Sequence, residues 1–320
     1  MGLKRNILPF LISIAILVLL VYNTDMNQVF QIIQNADLLF LLAALLMTFS
    51  VMLSRIARWR LFLNAYKFKI KNIDVASSFL ASQLLANFTP ARLGEASRPY
   101  FLKRRYKISF FNLLPSVIVE RFLDLIALLI LSLLFFIFYS SFVSTILQIV
   151  LILTFFLLVL LILVILNKTI ALKLMNSFFR ILSFVKFVKK LKPKVNDMAL
   201  NFFKGISSLK FARFGQITLI TFLSWIFESA ILYFTVLALV SNYQFNFMFA
   251  VGFICLSMLG GVISALPGGI GSVEAIIYAF FLLIGFSAPL SLSIVISYRF
   301  ISFFISNIFF YAFFLREARA

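Results

Sequence analysis

Apolar runs about as long as a bilayer is thick recur along this chain, and Lys and Arg gather only in alternate connections between them. Ile7 to Tyr22, Leu38 to Ser54, Ile108 to Tyr139, Thr145 to Leu166, Gly215 to Leu239 and Pro289 to Leu315 each approach or exceed the roughly 17–20 residues that cross about 30 Å of hydrocarbon. With 63% of residues hydrophobic, no water-facing globule can be assembled around them. The expected fold is therefore an all-α polytopic membrane protein. The first run follows Lys4 and Arg5 as a signal peptide would, but no small-residue cleavage pair follows it, so it reads as a retained helix.

The net charge of +19 raises nucleic acid as a partner, and its distribution excludes it. Basic residues fall at Lys4 and Arg5, Arg55 to Lys71, Arg98 to Lys107, Lys168 to Arg213, and Arg316 with Arg319, while Asn23 to Asp37, Ser140 to Ser144 and Ser241 to Asn246 carry none. Cytoplasmic loops are enriched in Lys and Arg, so this alternation predicts both termini in the cytoplasm and a chain seated in the cell membrane. Ser54 to Arg60, basic and aromatic, reads as an anchor in the headgroup layer. The chain has no histidine and one cysteine, Cys255 inside an apolar run. Imidazole chemistry, a disulfide framework and thiol metal sites are thereby excluded, and no cofactor or metal is expected.

Two stretches break this regular crossing. Lys71 and Lys103 must both be inside, yet one apolar helix of about 16 residues, Ile73 to Phe88, lies between them. A re-entrant hairpin over 73–98, broken at Pro90 to Glu95, resolves the conflict. A second, entering from the opposite side over 247–286, breaks at Pro267 to Glu274. Both breaks read Pro-x-x-aliphatic-Gly with an acid just after, so Pro90, Gly94, Pro267, Gly268, Gly269 and Gly271 are candidate hairpin or gate residues. Irregular backbone at membrane depth is tolerated only against protein or a water-filled cavity. Opposed broken helices suggest an inverted repeat with a site at the midplane. The expected organisation is about six full spans and two hairpins: a first half over 1–166, a cytoplasmic amphipathic segment over 167–213, and a second half over 214–320. Thr145 to Leu166 reads as a lipid-facing strut.

Ions inside apolar runs are the candidate site. Glu95, Glu120, Asp124, Glu228 and Glu274, with Arg92, Arg121 and Arg299, are each costly in the bilayer unless paired or hydrated. Arg121 lies three before Asp124 and can reach it on one helix face. Glu120 with Arg121 reads either as a structural pair or as part of a path. Five acids against three arginines imply a hydrated cavity, protonated carboxylates or a cation site. The arginines suit bidentate binding of phosphate oxygens, which points to anionic or lipid-linked phosphate headgroups as partners. The glycines at 268, 269 and 271 follow no strand, so they do not read as a dinucleotide fingerprint.

The motifs Arg55-x-x-Arg58-Trp59, Pro90-x-Arg92-x-Gly94-Glu95-x-x-Arg98, Glu120-Arg121-x-x-Asp124, Leu266-Pro267-Gly268-Gly269-Ile270-Gly271-x-x-Glu274-Ala275 and Arg299 resemble the lysylphosphatidylglycerol synthase transmembrane-region family. This family is similar to the amino-terminal membrane half of the multiple peptide resistance factor. The resemblance implies a flippase-like translocator of an anionic phospholipid or lipid-linked sugar, working by alternating access. It does not imply synthase activity, since no cytoplasmic acyltransferase-like domain is present in these residues. It keeps open a membrane glycosyltransferase with a polyprenyl-phosphate sugar donor and Glu95, Glu120 or Asp124 as base, although no Asp-x-Asp metal motif is present. A lipid-binding accessory protein, a homo-oligomer or a separate lipid-modifying partner enzyme also remain open.

Overall fold

A computed structural model describes residues 3–22, 24–65, 68–139, 211–240 and 245–319, together with two isolated helical positions, Ile152 and Phe156. Apart from those two positions the strut over Thr145 to Leu166 lies outside the described residues, and so does the segment over 167–213 apart from 211–213, which open a helix. The elements are α1 Leu3–Tyr22, α2 Met26–Gln34, α3 Leu38–Ala65, α4 Asn72–Asn87, a 3-10 turn Pro90–Ala96, α5 Ser97–Tyr106, α6 Phe110–Phe138, α7 Phe211–Leu239, α8 Phe247–Ser264, a 3-10 turn Pro267–Gly269, α9 Ser272–Leu283, α10 Ala288–Arg299, a π-helical turn Phe300–Ile305 and α11 Ser306–Arg319. The all-α polytopic expectation holds. Among the described residues five helices are long and apolar enough to cross a membrane, or six if the bent pair α1–α2 is one span.

Two boundaries differ from the sequence reading. The connection Asn23 to Asp37 contains α2, which turns 86° from α1. Asp25 caps it, its carboxylate accepting the Asn27 N–H at 2.9 Å, which satisfies a donor that a helix start leaves open. And α3 does not stop at Ser54. It continues to Ala65, carrying Arg58 and Trp59 into the interior, where both are fully buried. Ser54 to Arg60 is therefore not a headgroup anchor as a whole. Arg55 and Arg58 find internal carboxylates and Arg60 donates to the Ile70 carbonyl, so the helix loses nothing by running on into the protein.

α7 lies along α3, α11 along α4, and α8 against both α6 and α9. One apolar core, including Phe135, Phe253, Phe281 and Val295, fills the space among α6, α7, α8, α9 and α10. The other, around Trp59, Phe62, Phe79 and Leu113, joins α3, α4 and α6. Both predicted breaks occur, and each is a helix–turn–helix folded on itself. At the first, Gly94 sits so close to α4 that a Cβ there would be 2.2 Å from the Leu85 carbonyl carbon. At the second, Ala265 (φ 51) ends α8 in the left-handed region, and Pro267 cannot continue it. Gly271 (φ 92) then opens α9, its N–H held by the Glu274 carboxylate at 2.7 Å. α8, at 18 residues, is long enough for a full crossing, whereas α9 has 12.

The two breaks touch. A Cβ on Gly268 (φ +61) would lie 2.9 Å from the Asn87 carbonyl oxygen at the end of α4. Far along α4 from this contact, Asp74 gathers the ends of three helices. It is ion-paired to Arg105 of α5 and, at 3.0 Å, to Arg316 of α11, and it accepts the Tyr106 hydroxyl at 2.7 Å. Glu317 adds a pair to Arg105 at 3.5 Å and accepts the Ser77 hydroxyl. Burial favours the neutral carboxyl at Asp74, but the Tyr106 hydroxyl with Arg105 and Arg316 outweighs it and holds the group below the usual carboxylate range.

Candidate functional site

Three residues at three-residue spacing leave the first break. Arg92, held at φ 56 where a side-chain-bearing residue is rare, donates through Nε to Glu95 at 3.0 Å. Arg98 meets the other Glu95 oxygen at 3.0 Å, and Arg121 of α6 meets that oxygen at 3.0 Å as well. Glu95 is thus shared by three guanidinia. Arg98 goes on to Glu120 at 2.6 Å, Arg58 of α3 reaches Glu120 at 3.7 Å, and Asp124 takes Arg58 at 2.6 Å and Arg121 at 2.8 Å. The Trp225 indole N–H of α7 closes on Asp124 at 3.2 Å. Arg98 also lies over the Phe79 ring at 4.3 Å, so its apolar faces are packed while its edges are bonded. Arg58, Arg98 and Glu120 are completely buried, which a charge survives only with such partners.

Two further pairs flank this network. Glu228 of α7 accepts from Arg55 at 3.0 Å and from the Tyr298 hydroxyl at 3.2 Å. Glu274 of α9 pairs with Arg299 at 2.7 Å. Arg299 precedes the π-helical turn, a distortion frequent at functional sites. All eight predicted ions are therefore in pairs, and Arg121 answers Glu95 and Asp124 rather than Glu120. The expected acid surplus is corrected. Arg55, Arg58 and Arg98 join Arg92, Arg121 and Arg299, so six arginines face Glu95, Glu120, Asp124, Glu228 and Glu274 in these pairs. One positive charge is left over, so these pairs hold no acid surplus that would call for a cation site or protonated carboxylates.

Between α3, α4, α7, the two breaks and the π-helical turn lies a cavity with room for about 80 Å³ of water-sized contents, inside an open-mouthed cleft of about 720 Å³. Arg55, Arg92, Arg299 and Glu228 supply its charged lining, Gln83 and Asn87 neutral polar groups, and Val51, Phe79, Ile231 and Phe303 apolar wall. Of the predicted binding residues, Arg92, Arg299 and Glu228 line it. Glu95, Glu120, Asp124, Arg121 and Glu274 do not; Glu95 and Glu274 hold Arg92 and Arg299 from behind, while Glu120, Asp124 and Arg121 pair within the buried network. Of the predicted hairpin glycines Gly268 lines it, Gly269 offers its carbonyl to Arg299 at 3.4 Å, Gly94 packs on α4, and Gly271 packs against the backbone of Ser13 in α1.

The sequence profile described as lysylphosphatidylglycerol synthase TM region matches residues 6–309, from α1 into α11. The chain belongs to the lysylphosphatidylglycerol synthase transmembrane-region family. It is also similar to a UPF0104 membrane protein of Pyrococcus horikoshii, with 25% identity over 321 residues that span 95% of each chain. With its apolar helices, this makes it a multi-pass membrane protein of the cell membrane. Arg55, Arg58 and Arg98 belong to the motifs that carry the family resemblance, and they stand outside the eight ions that the sequence alone assigns to the site. For Arg98 a local signal existed: the spacing Arg92-x-x-Glu95-x-x-Arg98 places both arginines one turn from Glu95.

Proposed function

We propose that this family member is a flippase-like translocator of an anionic phospholipid or lipid-linked sugar, with the cavity between the two breaks as its headgroup site. One observation carries the reading: three guanidinia converge on an apolar-walled cavity at the contact of two broken helices. Guanidinia bind phosphate oxygens bidentately, while apolar walls accept the chain-proximal part of a lipid. The carboxylates behind them fix the arginine rotamers, so the donors are preorganised before a headgroup arrives. Alternating access then requires the breaks to separate in turn, and the contact of Gly268 with the end of α4 would be the closed position of that gate. The transferase reading gains nothing from the geometry, since Glu95, Glu120 and Asp124 lie outside the cavity lining.

The test is headgroup movement in liposomes. Purified protein is expected to speed exchange of a fluorescently labelled phospholipid between leaflets. Arg92→Ala and Arg299→Ala are expected to slow it about tenfold or more, the loss of one charge-assisted contact of roughly 1.5–3 kcal/mol. Rates in both variants equal to the parent's would refute the site.

A further inference from the structure

We infer that the cavity is charge-matched to a single phosphodiester monoanion, and that Arg92 with Gln83 sets this selectivity; the inference rests on the cavity being the headgroup site proposed above. The buried pairs around it leave one positive charge uncompensated among the described residues, as counted above. That surplus comes to the surface at Arg92. Its acid, Glu95, is divided among three guanidinia, and its other outlet, the Gln83 Oε1 at 2.6 Å, is neutral. The Arg92 side chain keeps about a third of its surface exposed, against 0% for Arg98 in the same network.

Gln83 supplies the second observation. It lines the cavity and is 3% exposed, and because its Oε1 is taken by Arg92 its amide must turn an N–H2 group the other way. Among the described residues that Nε2 has no hydrogen-bond partner. A buried donor without an acceptor is unfavourable, and so is an unbalanced charge in an apolar surround. One ligand group answers both: an oxyanion bringing acceptor oxygens and one negative charge. A phosphodiester carries one. A phosphomonoester carries about 1.5–2 near neutral pH, and a diphosphate more than a diester, so either would leave the site negative beside Glu228. Both a glycerophospholipid and a polyprenyl phosphoryl sugar contain the diester.

The experiment titrates short-chain probes below their micellar concentrations into the purified full chain. Trp225 lines the cavity and Trp59 does not, so the change in tryptophan fluorescence reports occupancy. Dihexanoylphosphatidylglycerol and farnesyl phosphoryl glucose represent the two diesters, dihexanoylphosphatidic acid the monoester and farnesyl diphosphate the diphosphate. At least one diester is expected to bind about tenfold or more tightly than the other two classes, and which diester wins assigns the source. Gln83→Glu keeps an acceptor oxygen on Arg92 but cancels the surplus, so diester affinity is expected to fall about tenfold or more with thermal stability retained. Glu228→Gln raises the surplus and is expected to shift preference towards the monoester and diphosphate. If the latter variant does not fold, the Gln83→Glu result decides alone. Equal or tighter binding of the diphosphate by the parent, or undiminished diester binding by Gln83→Glu, would overturn the inference. Selective binding without lipid movement in liposomes would remove the translocator reading and leave the charge rule standing. Movement of diphosphate lipids as fast as diesters would remove the charge rule and leave translocation standing.

Discussion

Gly94→Ala tests whether the first break is held closed by backbone contact. The added Cβ would lie 2.2 Å from the Leu85 carbonyl carbon, 2.4 Å from its oxygen and 2.5 Å from the Ala86 nitrogen, all backbone atoms of α4. No rotamer can relieve such a contact. Ordinary packing needs at least 3.4 Å, so the turn and α4 must part by about 1.2 Å. Glu95 is the next residue, and a shift of that size would stretch its 3.0 Å pair with Arg121 of α6 towards 4 Å. Overpacking with partial loss of buried pairs is expected to cost about 3–5 kcal/mol. Thermal unfolding in one detergent would then fall on the order of 10 °C. Gly215→Ala is the internal control. It lies inside α7 with nothing among the described residues within 4 Å of its added Cβ, so the better helix propensity of Ala should leave stability unchanged or raise it by up to about 1 kcal/mol. If the two variants melt alike, the hairpin is not closed by the contact described here.

Arg98→Met keeps much of the side chain's length and its packing on Phe79 but leaves Glu120, among the described residues, with only the 3.7 Å ion pair to Arg58; a loss of about 3–5 kcal/mol is expected, measured by the same melts, and a loss below about 1 kcal/mol would mean the network is solvated. Asp74 has a folded-state affinity for protons below that of the unfolded chain, so its contribution is present at neutral pH and is lost as pH falls below about 4, through the depressed folded value. Asp74→Asn should lower stability at pH 7 by about 1–3 kcal/mol and flatten the acid limb of the stability–pH curve; an unchanged limb would show that the junction of α4, α5 and α11 does not depend on this carboxylate.

Span positions were legible because hydropathy is a local property, and most helix ends agree with the apolar runs to within a few residues. Both breaks were legible for a related reason. Proline and clustered glycine stop helices wherever they occur, and the alternation of basic loops left each broken segment unable to cross once. Arg121 with Asp124 was legible because a three-residue spacing places side chains on one face, and the pair forms at 2.8 Å. Charge balance was not legible. An arginine bound for the core and one bound for the headgroup layer look the same in sequence, and Arg55 and Arg58 follow an apolar run beside a tryptophan, as interfacial residues do. What separates the cases is the partner. Arg58 finds Asp124 across 66 residues and Arg55 finds Glu228 across 173, distances no local pattern spans. Missing three arginines turned a positive site into an apparently acidic one, which brought in a cation site and protonated carboxylates as readings beside the anionic headgroup that the arginines alone suggest. In a membrane protein, then, a basic residue next to an apolar run belongs to the site's charge count until its helix is known to end before it, because each omission changes the expected ligand charge by a whole unit.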